Sequence, residues 1–218
     1  MHVGNDIVDL GSPSAQGKNK DEKFIRRVFT DDEKQFIARS DDPDGILWRL
    51  WAAKETAYKV ISKSNPGISS APRKYQVCIS SPMKGCTVKG IVKTPDGADG
   101  RIQVTIYHYG DVVHCIGSSL SWDSEKQVIH GVDKIDDGYP PDYGQSSQYV
   151  SDLVRHIAGV RIAQHVPCDQ KDIHFSKTTS ACGQAYPIVQ IDNQTCQIDI
   201  SFSHDGRFVA YAFSCSYS

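Results

Sequence analysis

The 218-residue chain has no apolar run approaching the roughly 20 residues that a membrane-crossing helix needs. Its opening, MHVGNDIVDL, carries Asp6 and Asp9 where a signal peptide needs an unbroken apolar stretch, so neither export nor a membrane location is expected. Basic charge is not in excess: 24 Lys and Arg stand against 26 Asp and Glu, for a formal charge of -2. Without a strongly basic surface or an aromatic stacking run, nucleic-acid binding is not expected either. The seven cysteines are an odd number and no two stand at Cys-x-x-Cys spacing, which speaks against a zinc site. Scattered thiols suit a reducing compartment, so the chain reads as cytoplasmic. Gly-x-Ser-x-Gly, Walker, His-Glu-x-x-His and dinucleotide-binding patterns are all missing, which removes several common enzyme classes.

What is present describes an ordinary globular protein. Hydrophobic residues make up 39% and charged residues 23%, which excludes wholesale disorder. A chain of this length buries enough surface to fold without a disulfide or metal staple. Residues 2–10 read as a short strand, apolar around two aspartates. Thr30-Asp31-Asp32-Glu33 is a capping box, and the helix it opens is expected to carry Phe36 and Ile37 inward. After the turn cluster at 41–45, residues 46–63 form the strongest helix, with Leu47, Leu50, Trp51, Ala57, Tyr58 and Ile61 in one stripe. Asn65-Pro66-Gly67 ends it. Strand-like runs follow at 75–79, 86–92 and 102–107, and a Pro-, Gly- and Ser-rich segment at 136–148 reads as a flexible connection. A second amphipathic helix begins at Val150. The chain closes in a hairpin over 198–213 that is expected to turn at Asp205-Gly206, both positions wanting positive φ.

A weak repeat bears on architecture. Residues 104–120 overlie 200–216 at an offset of 96, placing His108 on His204 and Gly110 on Gly206. Gly4-Asn5-Asp6 and Gly131-Val132-Asp133 open the two copies. The expected fold is α+β: a pseudo-dimer of two similar halves, 1–124 and 125–218, each a small antiparallel sheet with a packed helix.

Three places could carry chemistry. Asp6 is a carboxylate in an apolar strand, and such a group needs a cation or several hydrogen bonds. Taken alone, capping of nearby amides explains it as well. Glu55 lies at the edge of the helical stripe, four residues before Lys59, which is also the spacing of a solvated ion pair. Lys54 points into the stripe itself and must snorkel or meet a buried anion. Ser203 and His204 stand just before the hairpin turn, where a histidine is more often a surface residue than a functional one.

Together these segments resemble a known motif set. Gly4-Asn5-Asp6-Ile7-Val8-Asp9-Leu10, Phe29-Thr30-Asp31-Asp32-Glu33, Trp51-Ala52-Ala53-Lys54-Glu55 through Lys59, and Ser203-His204-Asp205-Gly206 are similar to the 4′-phosphopantetheinyl transferases. The motif order is that of the short holo-acyl-carrier-protein synthase type, whereas the length is that of the two-half type, with the halves permuted. The resemblance implies transfer of the phosphopantetheine arm of coenzyme A to a serine of an acidic acyl or peptidyl carrier protein. It implies Mg²⁺ on Asp6 and Glu55, with Glu55 and Lys59 as catalytic residues. It further implies Lys54, Lys59, Ser203 and His204 as contacts of coenzyme A, and a chain active as a monomer. Gln184 replaces the lysine of the larger type's Gly-Lys-Pro, a loss that Lys177 would offset. A catalytically degenerate coenzyme A- or metal-binding protein on the same fold is the alternative.

Overall fold

The computed structural model describes residues 1–79, 85–95, 100–119, 127–135, 147–179 and 185–215. The first sheet contains β1 (Val3–Asp9), β2 (Gln76–Ile79), β3 (Thr87–Lys93), β4 (Arg101–Tyr109) and β5 (Val112–Ser118), in the order β1-β5-β4-β3-β2. The second contains β6 (Gln127–Lys134), β7 (Ile173–Thr179), β8 (Ala185–Ile191), β9 (Gln194–Asp205) and β10 (Phe208–Cys215), ordered β6-β10-β9-β8-β7. Every strand pair is antiparallel. In each half the first strand pairs with the last, so the two sheets share one topology and the molecule is an α+β pseudo-dimer. Its halves meet where β1 runs along β9 and β10. The expected boundary near residue 125, Gly183-Gln184 and most of 136–148 lie outside the described residues.

Helices α1 (Glu22–Val28), α2 (Asp31–Ala38) and α3 (Pro43–Ser64) belong to the first half, and α4 (Ser147–Ala163) to the second. The capping box of α2 is formed as expected: Thr30 Oγ1 accepts from the Glu33 amide and Glu33 Oε2 accepts from the Thr30 amide at 2.8 Å. The start of α3 is fixed by Pro43 in its first turn and by Asp42, whose Oδ1 accepts from the Gly45 amide at 2.9 Å. Leu47, Leu50, Ala53, Ala57 and Val60 then face Val88, Val104, Ile106 and Val113 of the first sheet. In the second half Val154, Ala158 and Ile162 cover Ile200, Val209 and Phe213.

Three expectations need correction. Ile37 is buried, but Phe36 is 41% exposed, because Glu33 and Ile37, one turn apart, define the inward face of α2. The last hairpin turns one residue later than its sequence suggests. Asp205 pairs with Phe208, the loop is Gly206-Arg207, and of these only Gly206 has positive φ. The turn with two positive φ values is Asp192-Asn193, between β8 and β9. Finally, the internal repeat holds at the hairpins, where Gly110 (φ 53°) matches Gly206 (φ 50°), but shifts at the first strands. Asp6 lies opposite Cys115, and the equivalent of Cys115, Tyr211, lies opposite Gly131 rather than Asp133.

Candidate active site

Strand β1 delivers Asp6 to the seam between the halves. Its neighbours Asn5 and Ile7 are buried, and its own side chain is only 13% exposed. Helix α3 crosses β1 at close range because residue 4 is glycine: a Cβ there would stand 2.5 Å from the Thr56 carbonyl oxygen. The crossing puts Lys59 over the strand, where its Nζ donates to Asp6 Oδ1 at 2.8 Å and to the Asn5 carbonyl at 2.9 Å. Burial pushes the Asp6 carboxyl above the usual range, against the pull of Lys59, and Asp205 pushes the same way as burial. Glu55 lies one turn before Lys59 on the same face of α3. Burial, and then the charge of Asp6, push its carboxyl up to about 7. Among the described residues nothing donates to it.

A cleft of about 280 Å³ opens beside this pair. Lys59 and Lys63 line it from α3, Arg155 from α4, Lys177 from β7, and Phe202 and His204 from β9. Among the described residues no Asp or Glu lines it. Lys59 therefore belongs to both places, bound to Asp6 at its tip and forming part of the cleft wall. Lys63 is tied down, with its Nζ donating to the Val3 and Ile200 carbonyls at 2.8 Å and to Asp199 Oδ1 at 2.5 Å. Burial pushes its ammonium below the usual range, against the pull of Asp199. Arg155 is held by the Ser151 carbonyl at 2.8 Å and by the Ser151 hydroxyl, and packs over the Phe202 ring.

Of the residues singled out from sequence, the structure brings Asp6, Glu55, Lys59, Lys177 and His204 to one region. Two others do not line the cleft. Lys54 is fully buried on the core side of α3, with its Nζ 2.8 Å from Glu33 Oε2 and donating to the Pro72 and Tyr75 carbonyls. All three of its donors are used within the fold, so it meets a buried anion instead of a ligand phosphate. Ser203 is 6% exposed and turned away from the cleft, its Oγ accepting from Asn5 Nδ2 at 2.8 Å. Along β9 the side chains alternate, so only one of two neighbours can face the ligand. Sequence reasoning assigned no role to Arg155 or Lys63. The first stands in Asp152-Leu153-Val154-Arg155 on an amphipathic helix, a spacing visible in the sequence; nothing local marks the second.

The donor set suits a hard cation. Among the described residues no group of three or more His, Cys, Asp and Glu is assembled. Two carboxylates are near enough for the charge of Asp6 to raise the Glu55 carboxyl, and Glu55 has no donor of its own among those residues. Such a pair could be the protein's share of a magnesium site completed by waters and substrate phosphates.

Residues 2–106 match the model of the 4′-phosphopantetheinyl transferase superfamily. The first half of the chain is therefore similar to that superfamily. The match contains β1, α1 to α3 and the strands up to β4, hence both carboxylates and Lys59. Fatty acid synthase alpha subunit hexA of Dothistroma septosporum is 30% identical over 125 residues, 55% of this chain and 34% of that one. Holo-[acyl-carrier-protein] synthase of Leptospira biflexa is 34% identical over 62 residues, 28% of this chain and 49% of that one. The corresponding protein of Shewanella frigidimarina is 29% identical over 101 residues, 46% of this chain and 75% of that one. The chain thus spans half the length or less of the first two relatives. The crystal structure of Thermotoga maritima holo-[acyl-carrier-protein] synthase covers 88% of this chain and 83% of its own at a TM-score of 0.38 and 13% identity, a likeness too weak to bear on the fold.

Proposed function

We propose that the chain transfers the 4′-phosphopantetheine arm of coenzyme A to a serine of a carrier protein, releasing 3′,5′-ADP. The observation that carries this reading is Lys59, which joins a partly buried carboxylate pair to a cleft lined, among the described residues, by cations and no acid. Coenzyme A has a pyrophosphate and a 3′-phosphate. Lys177, Arg155 and His204 would take its nucleotide end, with Phe202 and Tyr186 supplying apolar wall. Asp6 and Glu55 would hold Mg²⁺, which when bound offsets charge on the pyrophosphate. The serine oxygen attacks the β-phosphorus, the bond from that phosphorus to the bridging oxygen breaks, and 3′,5′-ADP leaves. Glu55 takes the serine proton. Lys59 orients the phosphates while holding Asp6 in place.

The carrier would dock on α1. Lys20, Lys23, Arg26 and Arg27 are exposed there, while Lys18 is paired with Asp21 at 2.7 Å. The patch adjoins the site, because Phe24 packs on Trp51 at 5.5 Å and Trp51 lies one turn before Glu55. Since one half carries the carboxylates and both line the cleft, a single chain would suffice for activity. The names of the relatives make a carrier of fatty acid synthesis the first to try. Incubation of the protein with coenzyme A, Mg²⁺ and a panel of apo-carriers should add one phosphopantetheine to the carrier mass. Coenzyme A binding without transfer to any carrier would refute the transferase reading in favour of a degenerate binding protein.

A further inference from the structure

Beyond the carboxylates and the cleft, the end of β1 is fastened to the tip of the β9–β10 hairpin. Asp9 is 1% exposed, yet both of its oxygens are engaged. Arg207 Nε donates to Oδ2 at 2.8 Å and Nη2 to Oδ1 at 2.6 Å. The Arg207 amide adds a bond to Oδ2 at 3.0 Å and the Gly11 amide one to Oδ1 at 2.9 Å. In return, Asp205 Oδ2 accepts from the Asp9 amide at 2.8 Å. The hairpin is shaped for this contact, since a Cβ on Gly206 would stand 2.4 Å from Asp9 Oδ2.

A forked guanidinium–carboxylate pair fixes orientation as well as distance. Joining the halves does not by itself require one here, because Lys63 and Asp199 already fasten the other end of β1. What distinguishes this end is its position. Asp9 stands three residues beyond Asp6, and Arg207 three residues beyond His204. The pair thus joins the strand that carries Asp6 to the hairpin that carries His204.

We propose that Asp9 and Arg207 are a positioning pair that sets His204 and the cleft against Asp6 and Glu55, an inference that rests on the transferase reading above. Small displacements of reacting groups cost rate steeply, so loosening the hairpin should lower turnover in a protein that remains folded. The test compares Asp9→Asn, Arg207→Lys, Arg207→Gln and the double variant Asp9→Asn/Arg207→Gln in the full chain, well below their melting temperatures. For Arg207→Gln we expect kcat to fall about tenfold or more, the KM for coenzyme A to rise and the KM for the carrier to stay unchanged. Arg207→Lys keeps the charge without the fork and should lose nearly as much; the double variant should be no worse than the poorer single. Hydrogen exchange at 204–208 should quicken in step with the loss. Faster exchange or a lower Tm with wild-type kcat and coenzyme A KM would overturn the proposal, leaving the pair a mere fastening. If the wild type modifies no carrier, the functional reading fails on its own account. Calorimetry with coenzyme A then decides: weaker binding by Arg207→Gln upholds the pair's role, and unchanged or absent binding overturns it.

Discussion

Where the first strand of each half meets the last, the two halves fill one backbone site in opposite ways. The first half sets Asp6 opposite Cys115, and the second sets Gly131 opposite Tyr211. In the first, a small thiol leaves room for a carboxylate under α3. In the second, the tyrosine occupies that room, and a Cβ on Gly131 would stand 2.4 Å from its hydroxyl. The burial that keeps the Cys115 thiol neutral, pushing it up to about 12, is shared by the neighbouring Asp6. One size exchange across a strand pair thus separates the half that holds this carboxylate from the half that does not.

The largest effect should come from removing what the first half alone possesses. Asp6→Ala or Glu55→Gln should lower transfer roughly 100-fold or more, as expected when a metal-assisted step loses a ligand, while the fold survives. Near wild-type turnover at saturating Mg²⁺, read by carrier mass, would dismiss the assignment. Next comes the ion pair that seats α3 above that site. Lys54→Met leaves the buried Glu33 carboxylate short of its cation, which should cost about 3–5 kcal/mol in urea unfolding. A Glu33→Leu/Lys54→Met double variant should recover much of that, and neither should change turnover of the folded protein.

Acid sharpens the comparison at a second position, where the first half has His114 and the second has Ala210. Burial, with His130 beside it, holds the His114 imidazole down at about 3 against an ordinary 6.5. Between these values the unfolded chain binds a proton that the folded one refuses, so stability should fall as pH drops from 6.5 towards 3. His114→Ala, which copies the second half, should flatten that dependence by a few kcal/mol, measured by unfolding at pH 7 and pH 4.5. A smaller effect separates two glycines. Gly4→Ala meets the Thr56 carbonyl and the Val60 side chain, and should cost about 1–3 kcal/mol together with some activity. At Gly131 the nearest atoms belong to the outer ring and hydroxyl of Tyr211 rather than to backbone, so Gly131→Ala should cost less and leave turnover unchanged. The smallest effect belongs to the surface. Reversing Arg26 and Arg27 to Glu should raise the carrier KM severalfold and flatten its salt dependence, with the coenzyme A KM unaltered. Equal changes for both substrates would remove α1 as the docking patch.

Local rules carried the sequence reading a long way. The capping box, the body of α3 and the closing hairpin rest on periodicity, caps or turn residues of short span, whereas the gathering of Asp6, Glu55, Lys59 and His204 comes from the resemblance to the 4′-phosphopantetheinyl transferases. The failures came where a distant partner decides. Lys54 is held by Glu33 on another helix, about which the i,i+4 spacing of α3 says nothing. Ser203 faces Asn5, nearly 200 residues away in the chain, and a strand shows its two faces without saying which meets the seam. The first-strand repeat slipped by two residues because Gly-x-Asp recurs by chance, whereas the ladder from Cys115 and Tyr211 fixes the true register.

The two hairpin tips show what joining the halves in one chain permits. Gly110-Asp111 and Gly206-Arg207 are equivalent turns, and Arg207 Nη2 reaches Asp111 Oδ2 at 3.2 Å. In an assembly of identical subunits, a residue that meets its own equivalent across a twofold axis meets its own charge. Two aspartates or two arginines would then repel at this spot. Covalent linkage lifts that constraint, since each copy of the turn can carry the residue its neighbour requires. The opposite charges at positions 111 and 207 are a contact that a self-paired half could not make.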